Sequence, residues 1–292
     1  MWRIVAIALV LTGACRKKAP EAPPEFSDAL VHLFTSFDES DEILVQAVRD
    51  IEKQIYLDMD VTAESFVDRA LEPDRLNAGN VETLEHTDRG VADALAVAVA
   101  YTSPFSLDDH TPLQLRSDHR PFEPYSPDHF ERFFLEGEDC WLDRSCTLLR
   151  THNELTKKNP LMEVVYEFYK DFRWVDLSTD DSPRWAYVGR SWNPESYEGE
   201  SGKAWIHQSY TIELWVPRDG RGFVRNGSSE NSDGGDWTAD SAGGGILRML
   251  SLWSETEFSG FNFTDDQVMG TMRLGIDKNC GATDDFLAGT TE

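Results

Sequence analysis

Lys203–Val216 reads KAWIHQSYTIELWV, and its period decides how the rest of the chain is read. Ala204, Ile206, Tyr210, Ile212, Leu214 and Val216 fall on one side of a two-residue repeat, with His207, Ser209, Thr211 and Glu213 on the other. The pattern predicts a strand with one buried face, and Pro217-Arg218-Asp219-Gly220 supplies a turn after it, so an antiparallel sheet is expected. Trp205 and Trp215 fall on the wetter face, where aromatic surface can meet a ligand, lipid, glycan or protein; Trp192 joins them as a candidate ligand contact.

The neighbouring segments extend this sheet. Met162–Leu177 (MEVVYEFYKDFRWVDL) satisfies both a helical and a strand period, but aromatic and β-branched enrichment favours strand for at least its second half. Arg184–Trp192, Phe223–Arg225 and Ile246–Trp253 read as further strands. Thr264-Asp265-Asp266-Gln267 is a capping box that opens a helix with Val268, Met272, Ile276 and Cys280 on one stripe, ended by Gly281. Asn226–Gly245 is a polar, glycine-rich connection whose Glu230, Asn231, Asp233, Asp236 and Asp240 lack the spacing of a calcium loop.

The N-terminal half carries helical periods. Leu30, Val31 and Phe34, then Ile43, Leu44, Ala47, Val48, Ile51 and Ile55, mark two helices. Thr62–Ala70, Gly90–Tyr101 (GVADALAVAVAY) and Pro127–Leu135 are further helical candidates, and Thr102–Asp128 is irregular. The expected fold class is α+β: a helical N-terminal half and a C-terminal antiparallel β-meander with a closing helix. The divisions are 1–14 as a signal peptide, 15–25 as a lipidated cysteine and Pro-rich tether, 26–159 as a mainly helical region, and 160–292 as the antiparallel sheet with its C-terminal helix. In arrangement alone, a curled meander closed by a helix resembles START-type lipid-binding folds.

The chain's 292 residues include 53 Asp and Glu against 27 Lys and Arg, a formal charge of −26. Such a surface repels a phosphate backbone, so nucleic acid is excluded as a partner. The start has a different character. Met1-Trp2-Arg3, the apolar run Ile4–Leu11, and the small residues Thr12-Gly13-Ala14 lead into Cys15, and eight apolar residues are too few to span a bilayer. This leader resembles the lipobox of bacterial lipoproteins, with Thr12 where the commonest form has leucine. The resemblance covers fifteen residues and implies cleavage before Cys15, lipid attachment to it, and a membrane partner. Arg16 stands where aspartate would favour inner-membrane retention, which implies the outer membrane of a Gram-negative cell envelope. Arg16-Lys17-Lys18 would lie against anionic headgroups.

An exported compartment permits disulfides. Cys140 and Cys146 enclose five residues, WLDRS, and are expected to pair, for about 2 kcal/mol of loop-closure stabilisation; Cys280 is left over. Two features carry the alternative of a periplasmic hydrolase or metal-dependent enzyme. Asp58-Met59-Asp60-Val61-Thr62 matches the DxDxT signature of haloacid-dehalogenase-type phosphatases, but in a helical context without the βα alternation that chemistry needs. Asp109-His110, Asp118-His119 and Asp128-His129 repeat an Asp-His pair, the arrangement that orients a metal-binding imidazole. No P-loop, Rossmann glycine pattern, nucleophile elbow or HExxH occurs, and no cofactor is expected. The favoured function is a non-catalytic, lipid-anchored envelope protein that binds a ligand or protein partner.

Overall fold

The computed structural model describes residues 26–58, 73–159, 162–179, 182–200, 202–218, 223–226, 236–239, 245–260 and 262–289. Two helices, α1 (Phe26–Thr35) and α2 (Asp41–Asp58), and a single turn, α3 (Ala78–Val81), precede the first strand, β1 (Leu95–Ser103). A short α4 (Leu107–His110) leads to β2 (Phe130–Glu136), β3 (Leu148–Asn159), β4 (Met162–Asp176), β5 (Trp185–Trp192), β6 (Tyr197–Glu198) and β7 (Ala204–Pro217). The ribbon of β8 (Phe223–Asn226) and β9 (Asp236–Ala239) precedes β10 (Ile246–Phe258), and α5 (Asp265–Leu287) closes the chain. The main sheet is antiparallel throughout, ordered β1-β10-β7-β5-β4-β3-β2, with β6 paired to β7.

The expectation of a helical N-terminal half is overturned. Gly90–Tyr101 runs into β1, which continues to Ser103, and Pro127–Leu135 runs into β2, which continues to Glu136, instead of forming helices. The Ala/Val alternation of β1 explains the misreading. Ala96, Ala98 and Ala100 face the α1/α2 core while Val97 and Val99 face α5, so both faces are buried. A run apolar on both faces satisfies a buried helix and a buried strand equally, and pairing with β10 decides between them. In β2, Phe130 and Arg132 are buried and Glu131 is exposed, a two-residue period. Strands β1, β2 and β3, from the region before residue 160, share one sheet with β4 to β7 and β10.

The two faces carry different layers. Ala29, Leu30, Leu33 and Phe34 of α1 and Leu44, Ala47, Val48 and Ile51 of α2, spaced as a helical stripe, pack on Tyr210, Ile212, Leu214 and Val216 of β7. Phe34 meets the rings of Trp253 and Tyr210 edge-on at 5.5 and 6.3 Å. On the other face lies α5, opened by reciprocal capping bonds between Thr264 and Gln267. It continues through Gly281, and Phe286 in its last turn meets Phe122 at 4.8 Å.

A β-bulge re-aims one end of β7. Gln208 opposes Glu255 and Ile206 opposes Thr256, leaving His207 unopposed. Tyr210 therefore belongs to the α1/α2 core while Ile206, beyond the bulge, turns to the α5 side with Met162 and Val164. The face that carries Ser209, Thr211, Glu213 and Trp215 is not wet, as the alternation alone suggested: Glu213 and Trp215 are buried.

Candidate functional site: a cavity under the C-terminal helix

Between α5 and the sheet lies a cavity of about 510 Å³. Its apolar surface comes from Phe168 on β4, Leu250 and Leu252 on β10, and Val268, Met272 and Ile276 on α5. The sheet supplies these side chains because alternate residues of each strand point to one face. Toward β4's C-terminal end the same face is filled by aromatic rings. Tyr187 stacks on Trp215 at 4.6 Å and Trp141 on Trp174 at 4.8 Å, with Phe172 against both pairs. Gly189 allows the crowding, since a Cβ there would stand 3.1 Å from the rings of both Phe172 and Trp215. The disulfide Cys140–Cys146, present as expected with Cα atoms 5.4 Å apart, flanks Trp141 and ties down the loop that carries it.

Where the cavity meets this aromatic block, its wall becomes charged. An inner recess of about 70 Å³ shares Phe130, Phe168, Lys170, Glu213, Leu250 and Asn279 with the main cavity and adds Arg132, His119 and Arg248. Glu213 accepts from Lys170 on Oε1 and from Arg248 Nη2 on Oε2 at 3.2 Å. Burial alone would push the Glu213 carboxyl up, but Lys170 and Arg248 outweigh it and hold it below its ordinary value. Burial pulls Lys170 down despite Glu213. Arg248 Nη1 also donates to the Tyr101 hydroxyl at 3.1 Å. Arg132 is held by neutral acceptors, Nε on Asn153 Oδ1 and Nη1 on the Gln114 carbonyl, each at 2.8 Å. Burial lowers Arg132 to about 9, which leaves it cationic at neutral pH.

The three Asp-His pairs do not form a common centre. Asp109 Oδ2 accepts from the Ser106 backbone N–H and hydroxyl in the capping box of α4, Asp118 pairs with Arg120, and Asp128 pairs with Lys158, so these carboxylates are engaged with partners other than an imidazole. His110 Nε2 lies 3.0 Å from Ser103 Oγ, which donates to Asp284 Oδ1 at 2.7 Å. His119 stacks on Phe130 at 5.0 Å, and both His110 and His119 border the inner recess, which His129 does not. Asp58 ends α2, and every strand pairing among the described residues is antiparallel, so no parallel strand presents it; Asp60, like Thr62–Ala70, Glu230, Asn231, Asp233, Asp240 and Cys15, lies outside the described residues. Among the described residues, one group has the proximity a metal needs: His152, Glu154 and Glu167, on the sheet face away from the cavity, with His152 Nε2 3.0 Å from Glu167 Oε2. Cys280 is a free thiol on α5, buried against β1, and burial pushes it up to about 12, which leaves it protonated at neutral pH.

The three candidate tryptophans are separated. Trp215 is part of the aromatic block and borders the inner recess. Trp192 borders the main cavity and stacks on Tyr169 at 5.6 Å. Trp205 lies outside the cavity, parallel to the His207 ring at 6.5 Å. Sequence reasoning missed the cavity's charged residues, Arg132, Lys170, Glu213 and Arg248. They lie on four different strands, β2, β4, β7 and β10, and only the β-pairing brings them together; β2, β4 and β10 carry other charges as well, so no local pattern marked these four.

Acid should destabilise this region. Burial, with Arg248 nearby, lowers His110 from its ordinary 6.5 to about 3, and burial holds His119 well below 6.5. A depressed histidine contributes stability that is present above pH 6.5 and lost as the pH falls toward the folded value, because the unfolded chain then binds more protons. Asp171, raised to about 6 by burial, acts oppositely between about 6 and its ordinary 3.8 and offsets part of the loss. The urea midpoint is expected to fall steadily from pH 7 to pH 5, and His110→Gln to flatten the slope by up to about 1.4 kcal/mol per pH unit. A midpoint that rises on acidification contradicts this account.

The fold and site together define an antiparallel sheet that holds a C-terminal helix over an internal, mostly apolar cavity with a charged inner end. No protein-family model matches the chain, and no curated protein matches it. The chain is similar to the crystal structure of TTHA0849 from Thermus thermophilus, at 13% identity over 68% of this chain and 99% of that one, with a TM-score of 0.36. It is similar also to the crystal structure of Ara h 8.0201, at 8% identity over 67% of this chain and 99% of that one, with a TM-score of 0.30. Likenesses this distant carry no argument about function.

Proposed function

We propose that the protein is a non-catalytic, lipid-anchored component of the cell envelope that binds a small amphipathic molecule between α5 and the sheet. The observation that carries the binding role is the cavity itself. At about 510 Å³ it falls within the range of small-molecule sites, and its walls are apolar with a few convergent polar groups. The anchoring role rests on Met1–Cys15, and Arg16 in place of aspartate supports the outer membrane. The reading is non-catalytic because the aspartates of the three Asp-His pairs are committed to other partners.

Each half has its own test. Cys15→Ala should abolish lipid attachment and shift the protein from the membrane to the soluble envelope fraction; unchanged processing and partitioning would refute the anchor. The same full-length Cys15→Ala chain, which has no acyl chains to bind a probe, should enhance the fluorescence of the neutral apolar dye N-phenyl-1-naphthylamine. Leu252→Trp, which fills the cavity from β10, should remove that enhancement while the far-ultraviolet circular dichroism is retained. Dye binding that survives Leu252→Trp would place the dye elsewhere.

A further inference from the structure

The charged inner end of the cavity contains more than its own ion pairs need. Three cations, Arg132, Lys170 and Arg248, and two carboxylates, Glu213 and Glu123, line the recess, and Glu213 is already taken by Lys170 and Arg248. Glu123, at the same recess, takes Lys157 Nζ at 3.4 Å and Asn279 Nδ2 at 2.7 Å. Arg132, 4% exposed, has no carboxylate at ion-pair distance among the described residues, and its two hydrogen-bonded nitrogens rest on neutral oxygens. Glu213 and Glu123 favour its charge only from beyond contact; a buried guanidinium with no carboxylate in contact is costly, and an anion from outside the chain that contacts it would offset that cost.

The polarity is ordered along the strands. On β4 the cavity-facing residues run Tyr166, Phe168, Lys170, and on β10 they run Leu252, Leu250, Arg248. Each strand changes from apolar to cationic at the same end. A ligand with the reverse gradient, an apolar body and an anionic tip, fits this wall in one direction only. The recess, at about 70 Å³, has room for about two waters and hence for a compact head.

We infer that the cavity takes a monocarboxylate amphipath, a free long-chain carboxylic acid in place of a phospholipid, with its carboxylate inward against Arg132 beside Lys170 and its apolar body under α5. This rests on the cavity-binding role proposed above and adds the ligand's charge and direction. Arg132 donates to the carboxylate with nitrogen not used by Asn153 or Gln114, and charge-assisted bonds in a site screened from water are the strong ones. The aromatic block beyond the recess closes the inner end, so the apolar chain extends toward Met272 and Val268.

The test is competition against N-phenyl-1-naphthylamine on the full-length Cys15→Ala chain at pH 8, with laurate, dodecanol and dodecyltrimethylammonium as competitors of equal chain length. Laurate should displace the dye at a concentration about tenfold or more below dodecanol, and the cationic compound should be weakest. Arg132→Met should weaken displacement by laurate far more than displacement by dodecanol, removing the preference for laurate, and Arg132→Lys should retain much of it. If Arg132→Met fails to fold, Lys170→Met, which keeps the guanidinium, should reduce the preference in part. Dye binding with no preference for laurate, or an Arg132→Met effect equal for both competitors, overturns the carboxylate inference alone. Absence of dye binding by the starting protein overturns the cavity reading and this inference with it.

Discussion

Glu213→Gln is expected to lower the unfolding free energy at pH 7 by about 3–5 kcal/mol, measured by urea denaturation. The carboxylate is 3% exposed and holds two cations, Lys170 and Arg248, on its two oxygens. Removing its charge leaves both buried without compensation while the side-chain volume barely changes, so the loss reports electrostatics and not packing. Lys170→Met should cost less, because Arg248 still compensates Glu213. The double variant should recover part of the Glu213→Gln loss, since only Arg248 is then unpaired. A Glu213→Gln loss below about 1 kcal/mol would mean that water reaches the group and that the recess is not a low-dielectric site.

Trp141→Ala should cost a similar amount, about 3–5 kcal/mol, for a different reason. Its ring is fully buried against Trp174, Phe172 and Tyr187, and its carbonyl accepts from Trp174 Nε1 at 3.0 Å. Truncation opens a void within the aromatic block. Reducing Cys140–Cys146 with the ring intact should cost only about 2 kcal/mol, because it frees a short loop without deleting the contacts. The two changes are therefore separable by chemical denaturation with and without reductant. Equal losses would mean that the ring stays docked only while the disulfide holds it.

Different parts of this organisation were legible to different degrees. The β7 alternation was plain in Lys203–Val216, and the α5 start was plain in Thr264–Gln267, because both are written in contiguous residues. Met162–Asp176 fitted two periods and is strand along its whole length, fixed by twelve cross-strand partners in β3 and eight in β5. Gly90–Tyr101 was read as helix because alanine and valine are apolar to either period. Its strand identity comes from β10, about 150 residues later in the chain. The bulge at His207, which moves Ile206 into the cavity wall, is a register event with no local mark.

The site shows the same division. The proximity of Cys140 and Cys146 was local and could be read from a six-residue spacing. The face carrying Glu213 was read as wet because period reveals that a face is polar but not what covers it. Whether a polar face meets solvent or a second layer depends on where α5 lands, which is settled by side chains on β1 and β10 packing against Met269, Met272, Ile276 and Cys280. By itself, then, the sequence determined the amphipathic strands and helices, the short disulfide loop and the leader's likeness to a lipobox, each a matter of neighbours along the chain. The tertiary structure alone decided the all-antiparallel order, the cavity and the company of Arg132, Lys170, Glu213 and Arg248, because these arise from contacts between residues far apart in sequence, for which no local period is a record.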